Sequence, residues 1–112
     1  MTVIELAVYA AVLGGAQPML CRLEDATVKC TNGYAAAITS ESTARFSDGT
    51  TVGRDDKGFP VFSNGIHSWF DSARWLQFSN GTTVRKMPGD EFRFGNGLIC
   101  RSEMPALVNC RK

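Results

Sequence analysis

A four-residue motif that ends in glycine returns every sixteen residues along this chain of 112 residues. It reads Cys-Thr-Asn-Gly, Phe-Ser-Asp-Gly, Phe-Ser-Asn-Gly (twice) and Phe-Gly-Asn-Gly, and its copies begin at Cys30, Phe46, Phe62, Phe78 and Phe94. One further step reaches Cys110. Because the period is constant and turn-forming residues hold a fixed phase within it, the sequence predicts a repeat architecture.

The Asn-Gly and Asp-Gly pairs of the motif predict tight turns between antiparallel strands. Glycine takes the left-handed backbone conformation there, and the Asn or Asp side chain caps the turn. A three-residue loop pairs Phe46 with Thr50 and Ala44 with Val52, and the later copies pair equivalent positions. A second kind of turn falls between motifs, for example at Asp55-Asp56-Lys57-Gly58. Each sixteen residues therefore form one up-and-down hairpin.

Alternation along these strands places the large apolar side chains on one face of the sheet. That face holds Ala44, Phe46, Val52, Phe62, Ile66, Leu76, Phe78, Val84, Phe92, Phe94 and Leu98. An apolar face must be covered, and a meander of short strands covers it by curling up or by folding into two layers. The predicted fold class is all-β: an antiparallel meander of hairpin repeats, closed as a small barrel or a two-sheet sandwich. A solenoid with one coil per repeat is the alternative, but regular Asn-Gly turns favour hairpins.

The four cysteines occur in two pairs that flank the repeats. In the second kind of turn, Val84 faces Phe94, and the equivalent positions of the last repeat are both cysteines. Directly opposed strand residues have Cα atoms roughly 4.5–5.5 Å apart, which a disulfide can bridge. The sequence therefore predicts the disulfides Cys21–Cys30 and Cys100–Cys110. A bridge between the first and last hairpins is the alternative.

Two disulfides in a small chain indicate an oxidising compartment, so we expect a periplasmic or extracellular protein. The alternative is a cytoplasmic protein with reduced cysteines. Residues 3–13 are apolar apart from Glu5, and Gly14-Gly15-Ala16 follows them. This pattern predicts that residues 1–16 are a signal peptide cleaved after Ala16, and that residues 17–112 are a single domain of β-hairpin repeats. The alternative is a helix that covers the sheet. The apolar run is too short to span a membrane.

Aromatic and basic residues share the outer face of the predicted sheet. They are Phe59, His67, Trp69, Trp75, Arg45, Arg85 and Arg93. Aromatic rings on a flat surface stack against sugar rings, and arginines beside them bind anionic groups. We expect these residues to bind a polysaccharide or another anionic polymer. The alternative is that both tryptophans complete a second apolar layer beneath a loop, the N-terminal segment or a partner chain.

The sequence predicts neither catalysis nor a cofactor. His67, Ser68 and Asp71 lie close together, but strand alternation places His67 and Ser68 on opposite faces of the sheet, so they cannot act as a base and a nucleophile. No acidic turn has the ligand spacing of a calcium loop, so we expect no metal. The net charge of +1 gives no overall field that would attract nucleic acid.

The segment Ser42-Thr43-Ala44-Arg45-Phe46-Ser47-Asp48-Gly49 is similar to a segment of periplasmic lysozyme inhibitors, with Thr43 where that family has glycine. The cysteine-bounded hairpins also look like small secreted bacterial proteins of uncharacterised function. The first resemblance implies a small β-barrel that inhibits an enzyme through an exposed loop, which is the alternative function. A structural role is also open, because the terminal hairpins of an unclosed meander offer free edges for self-association.

Overall fold

The computed structural model describes residues 1–112, which form one helix and twelve strands. The elements are α1 (Val3–Gly14), β1 (Met19–Glu24), β2 (Thr27–Cys30), β3 (Ala35–Ser40), β4 (Thr43–Phe46), β5 (Thr51–Arg54), β6 (Pro60–Phe62), β7 (Ser68–Phe70), β8 (Leu76–Phe78), β9 (Thr83–Met87), β10 (Glu91–Phe94), β11 (Ile99–Met104) and β12 (Leu107–Arg111). No helix in the structure has the length and apolarity needed to cross a membrane.

All twelve strands belong to one antiparallel sheet that curls into a nearly closed barrel. The strand order is β6-β5-β4-β3-β2-β1-β12-β11-β10-β9-β8-β7. The first and last strands pair with each other, with Cys21 opposite Val108, so the terminal hairpins leave no free edge. The sheet is instead open between β6 and β7, in the middle of the chain. The prediction of an antiparallel all-β meander closed as a barrel is confirmed.

The strand register agrees with the period of the sequence. Ala44 pairs with Val52, and Val52 pairs with Phe62. In the same way Val84 pairs with Phe94. The glycine of every motif has a φ between 91° and 96°, the left-handed conformation that glycine adopts without strain. The conformation of each turn therefore favours the glycine that ends the motif.

The serine of the motif joins each turn to the neighbouring strand. Ser47 donates from its main-chain N–H to the Ala35 carbonyl, and its hydroxyl accepts from the Ala35 N–H. Two later motif serines bond in the same way to the residue twelve positions earlier. In the last copy glycine stands in place of serine, and the Thr83 hydroxyl lies 2.1 Å from where a Cβ of residue 95 would be. The repeated serines therefore hydrogen-bond each turn to the neighbouring strand of the sheet.

Helix α1 lies inside the curled sheet and is buried on every side. Each of residues 6–12 is at most 5 % exposed, and these residues make nearly two turns of helix, so no face of that stretch points to solvent. At its start, the Thr2 hydroxyl accepts from the Glu5 N–H and the Glu5 carboxylate accepts from the Thr2 N–H, a capping box. The helix thus occupies the place that the alternative interpretation of residues 1–16 gives it. No observation tests cleavage after Ala16, and the burial of residues 6–12 in the core favours the alternative, in which the helix is retained.

Asparagines from the repeated turns hold the C-terminal end of the helix. Asn32, Asn80 and Asn96 donate from Nδ2, over 3.0–3.2 Å, to main-chain carbonyl oxygens of residues 10, 12 and 16. The Val12 carbonyl is among the last four of the helix, which lack partners within it, so Asn80 supplies one, while Ala16 lies just beyond the helix end. Each Oδ1 meanwhile accepts from the N–H two residues later. The same side chain therefore caps a turn and anchors the helix.

The core is asymmetric, because the helix lies closest to β1, β2, β3, β11 and β12. Apart from Met19, the side chains that this wall buries are small: Cys21, Val28, Ala36, Cys100, Val108 and Cys110. The wider space on the other side is filled by phenylalanines, with ring centroids 6.5 Å apart for Phe46 and Phe62 and 6.2 Å apart for Phe62 and Phe78. Side-chain volume thus follows the distance between helix and sheet.

Both expected disulfides form, and both lie on the wall beside the helix. Cys21 and Cys30 are bonded over 2.07 Å, and Cys100 and Cys110 over 2.06 Å. Each bridge joins opposed residues of one hairpin. The barrel is therefore closed by main-chain pairing of β1 with β12, and not by a disulfide between the first and last hairpins.

Candidate functional site

The opening of the barrel, which we call the seam, lies between β6 (Pro60–Phe62) and β7 (Ser68–Phe70). At the turn, the Phe62 N–H donates to the Ile66 carbonyl over 2.9 Å. Farther along, side chains replace the main-chain ladder. The Ser68 hydroxyl donates to the Pro60 carbonyl over 2.9 Å, and the rings of Phe59 and Phe70 meet edge to face with centroids 5.1 Å apart.

The two edges of the seam differ in what they offer a ligand. Pro60 has no N–H, and its carbonyl is already bonded to Ser68. On β7, the His67 carbonyl accepts from Ser79 and the Asp71 N–H donates to Trp75. By the alternation of an antiparallel ladder, the main-chain groups of residues 68 and 70 point away from β8. The free main-chain groups of the seam therefore belong to β7.

Exposed apolar side chains are concentrated at the seam. Five large apolar residues of the protein are exposed, and three of them, Val61, Trp69 and Phe70, lie on β6 and β7. Phe70 is 57 % exposed and Trp69 is 44 % exposed. Clustered apolar exposure of this kind marks interaction surfaces more often than scattered single residues do.

A shallow depression beside β7 combines one of these aromatic rings with positive charge. Phe70, Arg74, Arg85 and Lys86 line it, and we call it the cationic groove. None of the three cations has a carboxylate within 4.0 Å. The nearby Asp71 is engaged in its own turn, where a hydrogen bond from the Trp75 N–H holds the pKa of its carboxyl below the ordinary value. The groove therefore presents unpaired cations next to an exposed ring.

Below the groove, a cavity of about 270 Å³ opens between the N-terminal half of the helix and the sheet; we call it the mouth cavity. Its lining is Glu5, Val8, Tyr9, Arg54, Lys57, Gly58, Phe59, Pro60, Phe70, Leu76, Val84, Lys86 and Phe92. The walls are mainly apolar, and Lys57 and Lys86 have no carboxylate partner. Phe70 and Lys86 also line the cationic groove, so the two spaces are neighbours.

One corner of the mouth cavity is polar. The Arg54 guanidinium donates to the Glu5 carboxylate over 2.7 Å and to the Gly58 carbonyl over 3.0 Å. Burial tends to raise the pKa of Glu5, but hydrogen bonds from Thr2 and Arg54 outweigh it and hold that pKa below its ordinary value. Burial raises the pKa of Tyr9 to about 12. The corner thus holds an ion pair and a phenol that stays protonated at physiological pH.

Of the predicted site residues, the structure brings two together at the seam. His67 and Trp69 follow one another on the outer face, with ring centroids 5.6 Å apart. Trp69 lies opposite Gln77 on β8. Trp75 is half-buried in the turn after β7, and its main-chain N–H donates to the Asp71 carboxylate. The aromatic part of the predicted face is therefore centred on β7.

The predicted arginines divide into separate regions. Arg85 and Arg93 are cross-strand neighbours on β9 and β10. Arg93 is ion-paired with Glu91 over 2.7 Å, and Arg101 bonds the same carboxylate. These two arginines hold the pKa of Glu91 below its ordinary value. Arg45 is exposed on β4, which is separated from β9 and β10 in the strand order, so it does not join the others.

The position of Phe59 differs from the expectation. Strict alternation places Phe59 on the outer face with Trp69, but its ring packs against Phe70 and lines the mouth cavity. The strand begins only at Pro60, so alternation does not extend to the turn residue before it. Sequence reasoning also missed Phe70, Arg74 and Lys86. Phe70 and Arg74 lie in the same sixteen-residue repeat as His67 and Trp69, whereas Lys86 lies in the next repeat and carried no such signal.

Half of the segment that is similar to lysozyme inhibitors is a strand and not a loop. Thr43–Phe46 is strand β4, and Ala44 and Phe46 are buried in the core. Arg45 and the turn residues on either side are accessible.

Comparison with known proteins adds no identification, since no family model, curated protein or solved structure matches the chain.

Proposed function

We propose that this protein is a non-catalytic binding module that binds an anionic polysaccharide along the seam, through the cationic groove and the adjacent rings of β7. The observation that carries the proposal is the placement of exposed Phe70 beside three cations that have no ion-pair partner. Unpaired surface cations of this kind are free to bind anionic groups of a ligand.

The chemistry of the groove favours a sugar polymer with acidic groups. An exposed aromatic ring stacks on the apolar face of a sugar, and arginine binds carboxylate or sulfate in a bidentate manner. Arg74 and Arg85 line the groove together with Phe70, whereas Trp69 and His67 lie on the outer face of the same strand, around its edge from Phe70. A ligand that uses both parts must be extended, as a polymer is.

One observation supports an exported location for this activity. All four cysteines are paired in two disulfides. Disulfides form and persist in the periplasm and outside the cell. We therefore propose that the protein acts in a periplasmic or extracellular compartment.

The test is binding to dextran sulfate, with uncharged dextran as the control polymer. We expect dextran sulfate to bind and the affinity to fall as salt rises, because exposed charges are screened. Arg74→Gln and Arg85→Gln should each weaken binding by about tenfold, the equivalent of one charge-assisted hydrogen bond. Phe70→Ala and Trp69→Ala should weaken it as well. Arg45→Gln removes an equally exposed arginine from the far part of the sheet and should leave affinity unchanged.

If Arg45→Gln and Arg85→Gln weaken dextran sulfate binding equally, only the overall charge of the protein matters for binding. This result would reject the groove as the binding site. Tighter binding of single-stranded nucleic acid than of dextran sulfate would reject the ligand class. Inhibition of a glycan-cleaving enzyme without any polymer binding would replace the proposal with the inhibitor alternative. Thermal unfolding of every variant shows whether the fold is intact.

A further inference from the structure

We infer that the mouth cavity is a second binding site, for a small amphipathic carboxylate with a medium-length apolar chain. The chain would lie between the helix and β8–β10, and the carboxylate would lie at the opening beside Lys57 and Lys86. This site does not depend on polysaccharide binding, because the apolar part of its lining is interior.

The size and the walls of the cavity define the apolar part of the ligand. Its 270 Å³ equals about nine water molecules at roughly 30 Å³ each, which is enough for a chain of about ten carbons. Val8 on the helix, Leu76 on β8 and Val84 on β9 form opposite walls, and Phe92 lies beyond them. Apolar walls with few polar groups are typical of small-molecule sites.

The charges at the opening define the head group. Lys57 and Lys86 have no carboxylate within 4.0 Å, whereas Arg54 is held by Glu5 and Gly58. Counting only lining residues, three cations face one carboxylate, so the opening carries a net positive charge. An anion satisfies both free lysines, while a cation would be repelled. The protonated Tyr9 hydroxyl supplies a hydrogen-bond donor within the same cavity.

Access to the cavity follows from the construction of the seam. The lower part of the seam is closed by the Phe59–Phe70 ring contact and not by a main-chain ladder. Phe70 is 57 % exposed, so rotation of its side chain costs little packing. The same ring stands between the cavity and solvent. A chain can therefore enter beside Phe70 without breaking a strand pair.

Calorimetric titration of the full-length protein with decanoate tests this inference. We expect one decanoate per protein, and at least about tenfold weaker binding of decyltrimethylammonium, which has the same chain and the opposite charge. Lys57→Gln combined with Lys86→Gln should weaken decanoate binding about tenfold. Lys112→Gln, an exposed lysine remote from the cavity, should not change it. Leu76→Phe should abolish binding by filling the cavity.

Three results would overturn the inference. They are absence of decanoate binding to the folded protein, equal affinity for the two oppositely charged probes, and unchanged decanoate binding in a folded Leu76→Phe variant. Because Phe70 and Lys86 line both spaces, the two proposals are separated by their probes, decanoate for the cavity and dextran sulfate for the groove. If decanoate binds to the unaltered protein and not to Leu76→Phe, the cavity is supported, whether or not dextran sulfate binds.

Discussion

The Ser68 hydroxyl donates a hydrogen bond of 2.9 Å to the carbonyl oxygen of Pro60, and this bond joins the two strands at which the barrel comes open. Pro60 cannot donate to a neighbouring strand, and Ser68 is buried on the inner side. The sheet is therefore interrupted at the seam because Pro60 offers no N–H on one edge. The Ser68 side chain closes the gap from the other edge. The candidate sites lie against this interruption.

Replacing Ser68 with alanine should loosen the seam. The change leaves the buried Pro60 carbonyl without its partner, which costs about 1–3 kcal/mol. We expect faster hydrogen exchange of the Phe62 amide, which donates across the seam to the Ile66 carbonyl, than in the unaltered protein, measured by mass spectrometry or NMR. Ser72→Ala, in the exposed turn after β7, is the control and should change neither stability nor exchange. Unaltered exchange at Phe62 in Ser68→Ala would show that other contacts close the seam.

Asn80→Asp should destabilise the protein while Asn64→Asp should not. Aspartate keeps the oxygen that caps the turn but loses the Nδ2 donor. Asn80 uses that donor for the Val12 carbonyl, whereas Asn64 caps its turn without reaching the helix. We expect a loss of about 1–2 kcal/mol for Asn80→Asp, including repulsion from the helix C-terminus, and less than about 0.5 kcal/mol for Asn64→Asp. Equal losses of unfolding free energy for the two variants, measured by urea unfolding, would contradict the role of Asn80 in anchoring the helix.

Phe62→Ala should be among the most damaging single changes. The ring is 2 % exposed and meets Tyr9, Phe46 and Phe78, so its removal leaves a cavity at the centre of the core. A loss of about 3–5 kcal/mol is expected from denaturant unfolding. Phe70→Ala removes an aromatic ring of equal size from an exposed position and should cost much less. Comparable losses for the two variants would contradict the assignment of core and surface.

Acid should weaken the attachment of the helix through Glu5. The folded-state pKa of Glu5 lies below its ordinary value of 4.5, so the folded state favours the ionised form. Its contribution is fully present above pH 4.5 and is lost as pH falls through the lowered folded-state pKa. Glu5→Gln should therefore be less stable than the unaltered protein near neutral pH, and the difference should shrink in acid. A constant difference across this range would contradict the ion pair with Arg54.

Opening either disulfide should destabilise the terminal hairpins. The bridges close loops with sequence separations of 9 and 10, for which the chain-entropy estimate is about 2–3 kcal/mol each. The pair of changes Cys21→Ser and Cys30→Ser should lower the midpoint of thermal unfolding, and so should the equivalent pair in the last hairpin. If neither pair of changes alters the midpoint, main-chain pairing of β1 with β12 holds the ends by itself.

The register of the barrel could be read from the sequence because it depends on local chemistry. An Asn-Gly turn sets which residues of its own hairpin oppose one another, and a constant period carries that register along the chain. The closure of the barrel between its first and last strands could not be predicted in this way. The pairing of Cys21 with Val108 joins strands that no turn connects, and nothing local in either strand specifies it.

The helix was harder to interpret for a physical reason. A helix on a surface shows an apolar stripe, but one that is buried on all sides is apolar all round. Residues 6–12 are of the second kind, so they resemble the apolar core of a signal peptide. The mouth cavity was out of reach as well, since its lining comes from the helix and from strands far apart in sequence. His67 and Trp69 could be found because alternation alone places them outward.

The intact mass of the natively expressed protein, with and without thiol alkylation, tests the central claim most directly. That claim is that the helix Val3–Gly14 is part of the core of a barrel whose terminal hairpins carry two disulfides. We predict a mass that includes residues 1–16, that is four hydrogens below the fully reduced value, and that does not change on alkylation. A mass that lacks residues 1–16 would establish the signal peptide and remove Glu5, Val8 and Tyr9 from the mouth cavity. Four alkylated cysteines would contradict both the disulfides and the exported location.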